Sequence, residues 1–245
     1  MRLTREIVPR CNLPAVISGD TEALDSRAGQ AVYSRWTLRL YDLYVLGLSC
    51  RVAWRCPAGA LLAHYDAHVS AHHLDVGVGS GYFLDRCRFP VPRPEVVLLD
   101  LNEARLAFAA RRIARLAPRI CRADVLEPLP LVERFDSIGL GFLLHCLPGD
   151  MPYKARALAH LAAVLKPAGV LFGSTILGAG VRHNRLGAAL VELYNRKGIF
   201  SNRGDSAAGL RTALDASFAD VSITVRGAVA LFSARHPRAS NRIVT

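Results

Sequence analysis

The stretch Leu74 to Leu84, LDVGVGSGYFL, constrains this chain more than any other. An apolar run ends in Asp75, then Gly77, Gly79 and Gly81 alternate with small residues, and Tyr82, Phe83 and Leu84 resume an apolar pattern. That order predicts a strand that enters a tight turn and leaves it as a helix, with glycines letting a ligand approach the backbone closely. A dinucleotide turn needs G-x-G-x-x-G, and the sixth position counted from Gly77 is Tyr82. Asp75 points the same way, because a carboxylate at the mouth of the turn repels a pyrophosphate and attracts positive charge. The turn therefore favours a cationic nucleoside over NAD.

Around this turn, short β-rich runs alternate with helical ones. HHLDVGV, EVVLLDL, RICRADV, FDSIGLGFLL and GVLFGSTIL read as strands, while GYFLDRCRF, NEARLAFAARRIARL, MPYKARALAHLAAVL, HNRLGAALVELYNRKG and SAAGLRTALDAS read as helices. The tail DVSITVRGAVALFSAR reads as a hairpin turning at Arg226 and Gly227. Such alternation predicts an α/β fold with a mainly parallel sheet, helices on both faces and an antiparallel C-terminal hairpin. Ahead of it, Trp36, Leu40, Leu46 and Trp54 recur at helical intervals from Ala31 to Cys56, Pro57 breaks the pattern, and a second short helix is expected over 60–68. The expected division is an N-terminal helical lid, 1–70, and a ligand-binding α/β domain, 71–245.

In an open parallel sheet the ligand sits beyond the carboxyl ends of the strands. Those ends carry Asp75, Asp100, Asp124 and Gly141. Asp100 lies 19 residues past Gly81, where an acid can accept from both ribose hydroxyls, and no basic neighbour is there for a 2′-phosphate. Asp124 follows the third strand, placed to accept from the exocyclic amine of adenine.

The ordered series LDVGVGSGYF, VVLLDLN, RADVLEPLP, FDSIGLGFLLHCLPG and LKPAGVLFGS resembles the motifs of class I S-adenosylmethionine-dependent methyltransferases, over roughly residues 71–235. The resemblance implies a Rossmann-like fold with a seven-stranded, mostly parallel sheet. It also implies S-adenosylmethionine as cofactor, with Asp75, Gly77, Gly79 and Gly81 at the methionine part, Asp100 and Leu101 at the ribose, Asp124 and Val125 at the adenine, and Gly141 facing the same site. The phrases YDLYVLG, WRCP, FLLHCLPG, LFGSTILG and YNRKGIFSN look like a narrower branch acting on small, secondary-metabolite-like molecules. That branch is also similar to azetidine-2-carboxylate synthases, which close S-adenosylmethionine on itself and release methylthioadenosine. Gly141 and Ile176 offer no polar side chain for that cyclisation, so methyl transfer to a small acceptor leads and cyclisation is the alternative.

Composition bounds the partners. Hydrophobic residues make up 51% and charged residues 21% of 245, as in folded globular chains. MRLTREIVPR has no apolar core, and no run approaches the roughly 18 apolar residues of a membrane span, so a cytoplasmic protein without a membrane partner is expected. Six dispersed cysteines offer no zinc spacing and are read as reduced thiols, with Cys146 taken as core; no metal is expected. The net charge of +11 comes from arginines scattered along helices, which disfavours a nucleic-acid footprint. Nucleic-acid methylation is disfavoured too, since GLGF at 139–142 stands where an N/D-P-P-Y box would be and no Pro-Cys pair is near.

The acceptor side is less legible. His145 either deprotonates the acceptor or packs the start of the next segment. The lid would bring Tyr41 and Tyr44 to the reacting centre and Arg55 to a carboxylate, unless the tyrosines only pack. His183, Asn184, Tyr194 and Asn195 follow the fifth strand, where relatives of this fold add acceptor contacts, and the two asparagines share a helical face. A monomer or homodimer is expected.

Overall fold

The computed structural model describes residues 49–238. Tyr41, Tyr44 and the expected helix ahead of Ser49 lie outside the described residues; within them, that stretch contributes one helical turn, Cys50–Val52.

Strands β1 (His72–Val76), β2 (Glu95–Asp100), β3 (Arg119–Arg122), β4 (Phe135–Gly141), β5 (Leu165–Ile176), β6 (Phe218–Arg226) and β7 (Val229–Pro237) form one sheet in the order β3-β2-β1-β4-β5-β7-β6. Pairings from β3 through β5 are parallel, and β7 runs antiparallel to both neighbours. Among the described residues the helices longer than one turn are α1 (Ala58–Asp66), α2 (Tyr82–Arg86), α3 (Glu103–Arg112), α4 (Met151–Ala163), α5 (Arg185–Arg196) and α6 (Ala207–Asp215).

The two-residue period of the strands sorts side chains onto two faces. Leu74, Val76, Val97 and Leu99 meet Leu158 and Leu161 of α4 and Leu210 and Leu214 of α6. Val96 and Leu98 point the other way, against Tyr65 of α1, Leu84 of α2 and Leu106 and Ala109 of α3. Each such buried side chain is worth about 1.5–3 kcal/mol, against about 1 kcal/mol for a helix cap. The core therefore fixes the sheet, and the caps set where helices begin. Asn102, Asp150, Asn184 and Ser206 each accept a backbone N–H three residues on.

A third cluster lies at the β5 and β7 end of the sheet. Trp54, Cys56 and Leu61 pack there with Ile176, Val191, Phe200 and Val229, so residues 53–61 share a core with the sheet. The hairpin turn locks onto this segment. Gly227 has φ +59, and a Cβ on it would run into the Trp54 carbonyl, which already accepts the Ala228 N–H at 2.9 Å. Because β1 pairs with β2 on one side and β4 on the other, successive connections leave β1 in opposite directions and open a crevice at its carboxyl end.

Candidate active site

The crevice is a pocket floored by residues 75–84, walled on one side by Leu99, Asp100, Leu101, Arg105, Ala123, Asp124 and Val125 and on the other by Tyr65, Gly141, Phe142, Leu143, Cys146, Leu147, Pro148 and Ile199. All the carboxylates and glycines singled out by sequence line it. Gly77, Gly79 and Gly81 all have φ between +52 and +72, conformations that side chains resist. At Gly79 nothing stands within 4 Å of where a Cβ would be, so the backbone itself meets the pocket there.

Asp75 is 4% exposed and receives the Tyr65 hydroxyl on Oδ1 at 3.1 Å. Asp100 accepts the Asn102 N–H on Oδ1 at 2.8 Å, while its Oδ2 is buried without a hydrogen-bond partner. Burial pushes the Asp100 carboxyl pKa above its ordinary value, opposed by the Arg105 charge and by neighbouring N–H groups. Asp124 accepts the Leu126 N–H on Oδ1 at 2.9 Å. An orphaned, buried carboxylate oxygen facing a pocket is an acceptor awaiting donors, and a pair of ribose hydroxyls would supply them.

Several residues were not legible in the sequence. Tyr65 sits on α1, Ile199 comes from the segment after α5, and Arg105 follows the Asn102 cap by three residues. No spacing marked Tyr65 or Ile199; Phe83, straight after the glycine turn, could have been found from its place. Cys146, expected in the core, is exposed in the pocket wall. Phe142 holds φ +58 directly after β4, a strained backbone of the kind that gathers at functional sites.

Other expected site residues lie elsewhere. His145 is 3% exposed, packs edge-on to Phe200 with centroids 4.5 Å apart, and its Nδ1 receives the Ile176 N–H at 3.3 Å. Burial, aided by the Lys154 charge, pushes its pKa down to about 3, so it holds no proton near neutrality and belongs to the packing rather than the pocket wall. Arg55 is exposed beside the Gly227 turn and does not line the pocket. Asn184 caps α5 and donates from Nδ2 to the Val52 carbonyl, tying α5 to the 50–53 turn. Asn195 donates to the Val191 carbonyl and to Asn202 Oδ1, and Tyr194 packs on Phe200 at 4.9 Å. His183 is half-buried, with neither ring nitrogen hydrogen-bonded, and is likewise not a wall residue.

Asn195, through Asn202, holds a strap, residues 199–205, that delivers Ile199 to the pocket. Asn202 Nδ2 donates to the Ile176 carbonyl, and Ser201 N–H donates to the His145 carbonyl. Lys154 Nζ, fully buried, donates to Asp205 Oδ2 at 2.6 Å and to the Ser201 carbonyl. Burial lowers the Lys154 pKa and raises that of Asp205, and their mutual attraction opposes both shifts.

Among the described residues no group of three or more His, Cys, Asp or Glu is arranged to hold a metal ion, and no helix is long and apolar enough to cross a membrane.

Comparison with known proteins agrees with this geometry. Residues 74–171 match a family model described as a methyltransferase domain. The chain is 41% identical over 216 residues to demethylluteothin O-methyltransferase of Streptomyces thioluteus, covering 88% of this chain and 93% of that protein. It is 38% identical over 213 residues to the physcion biosynthesis cluster O-methyltransferase of Aspergillus chevalieri, covering 86% and 96%. The DhpI–SAH complex shares the fold at a TM-score of 0.62 and 16% identity, covering 86% of this chain and 95% of that one. With the glycine turn, the strand-end acids and relatives aligned over nearly their whole length, the chain belongs to the class I S-adenosylmethionine-dependent methyltransferases.

Proposed function

We propose that this enzyme methylates a small, largely apolar acceptor of the secondary-metabolite kind, on oxygen. The observation that carries the cofactor half of this reading is the orphaned Oδ2 of Asp100 in the pocket wall. Asp100 would accept from the ribose hydroxyls, Asp124 from the adenine amine beside Val125, and Asp75 would face the ammonium over the Gly77–Gly81 turn. S-adenosylmethionine supplies, when bound, a methyl group on a positively charged sulfur.

The chain's own part is to align and desolvate. Tyr82, Phe83, Phe142, Leu147 and Ile199 give the rest of the pocket an aromatic and aliphatic wall, which suits a flat acceptor. No histidine lines the pocket among the described residues. An acceptor whose hydroxyl is itself acidic, an enol or a phenol, loses its proton with little help, and methyl transfer then depends on proximity. The names of the two O-methyltransferase relatives support oxygen as the acceptor atom. They lend no support to cofactor cyclisation.

The test is to incubate the protein with S-adenosylmethionine and a panel of hydroxypyrones, phenols and amines, following S-adenosylhomocysteine and acceptor mass. The expected result is one methyl added to a hydroxypyrone or phenol. Methylation of amines alone would overturn the oxygen assignment, and methylthioadenosine formed without acceptor would replace methyl transfer by cyclisation.

A further inference from the structure

Tyr65 precedes Asp75 by ten residues, yet its hydroxyl reaches the Asp75 carboxylate. The ring is 3% exposed, stacked on Phe83 at 4.8 Å and edge-on to Phe172 at 5.0 Å, so it has little freedom to turn. Its oxygen donates to Asp75 Oδ1 and lies against the Gly141 backbone, which brings the ends of β1 and β4 together at one phenol. Burial and the adjacent carboxylate hold the Tyr65 pKa well above that of an ordinary phenol. The proton therefore stays on tyrosine, and the direction of the bond is fixed.

Two consequences follow for the pocket. With Oδ1 engaged by Tyr65, Asp75 Oδ2 carries no hydrogen bond from a described residue and is the oxygen left for a ligand. His73 Nε2 stands 3.7 Å from Oδ1, beyond hydrogen-bonding reach, and does not compete for it. At Gly141, any Cβ would stand 2.6 Å from the Tyr65 hydroxyl. Glycine is needed there because the hydroxyl occupies the space.

We propose that Tyr65 is a positioning residue that holds Asp75 with Oδ2 turned toward the ammonium of bound S-adenosylmethionine, and that Gly141 is kept free of a side chain to admit the tyrosine hydroxyl. This rests on the cofactor reading above. Tyr65 then governs only ligands that carry the amino-acid arm. The nucleoside half, served by Asp100 and Asp124, is bound independently of it.

Calorimetric titration separates the two halves. S-adenosylhomocysteine has the arm and methylthioadenosine lacks it, so each is titrated into wild type, Tyr65→Phe and Asp75→Asn. Tyr65→Phe keeps the ring stacking. It should weaken S-adenosylhomocysteine about tenfold, as expected for losing a hydrogen bond to a charged group, and leave methylthioadenosine unchanged. Gly141→Ala, which crowds the hydroxyl without removing it, should give the same selective loss. Unchanged affinity in Tyr65→Phe, or equal loss of both ligands, overturns the positioning role. If Asp75→Asn also binds S-adenosylhomocysteine as wild type does, the cofactor reading itself fails and the role of Tyr65 falls with it.

Discussion

Lys154→Met would leave the Asp205 carboxylate buried with its cation gone. Lys154 is 0% and Asp205 1% exposed, so solvent cannot replace the lost partner. Breaking a buried pair from one side costs about 3–5 kcal/mol. Asp205 can take up a proton, because burial already raises its pKa, and the lower end, about 3 kcal/mol, is the working figure. With a urea m value of about 2–3 kcal/mol/M for a chain of this size, the unfolding midpoint should fall by about 1–1.5 M. Replacing both residues, Lys154→Met with Asp205→Leu, removes the stranded charge and should recover more than half of the loss. The assay is urea unfolding followed by circular dichroism at pH 7.5. A midpoint for Lys154→Met within about 0.3 M of wild type, or a double variant no better than the single, would refute the buried-pair argument. Because the pair fastens the strap that carries Ile199, Lys154→Met should raise the acceptor KM by a larger factor than it weakens binding of S-adenosylmethionine.

Three further outcomes follow from the packing. Unfolded histidine binds a proton near pH 6.5 and buried His145 only near 3, so between these values the unfolded state holds the extra proton. Stability should therefore drop as the pH is lowered through that window, by up to about 1.4 kcal/mol per unit from this residue, with His64 and His68, also lowered, adding in the same direction; His145→Gln should flatten the profile of urea midpoints between pH 7 and 5. Gly227→Ala combines a positive φ with a collision against the Trp54 carbonyl and should lower stability by about 1–3 kcal/mol in the same assay. Gly141→Ala should lose about as much, and adding Tyr65→Phe, which removes the crowding oxygen, should restore part of it; strictly additive losses would contradict the contact.

The sheet, the helix order and the hairpin at Gly227 were legible because each rests on local pattern: apolar runs of five or six residues, cap residues, and a glycine at a turn. The residues that line the pocket and were visible in sequence, Asp75, Gly77, Gly79, Gly81, Asp100, Asp124 and Gly141, all sit at strand ends, where the fold class alone dictates exposure to the crevice. Tyr65 and Ile199 were not, since they arrive from α1 and the strap and read as ordinary core residues. His145, Asn184 and Asn195 show a different limit. A polar side chain beside a ligand-binding edge looks functional in sequence, and local pattern gives no sign of the partners the fold supplies: the Ile176 N–H for His145, the α5 cap for Asn184, and the Val191 carbonyl and Asn202 side chain for Asn195.

The central claim is that the crevice at the carboxyl end of β1, flanked by β2 and β4, binds S-adenosylmethionine through the orphaned carboxylate oxygen of Asp100. Titrating S-adenosylmethionine into wild type and Asp100→Ala by calorimetry tests it most directly. The account predicts one site per chain in wild type and at least about a tenfold loss in the variant, from a hydrogen bond to a charged group. Equal affinity in a folded Asp100→Ala protein, or no binding by folded wild type, would contradict it.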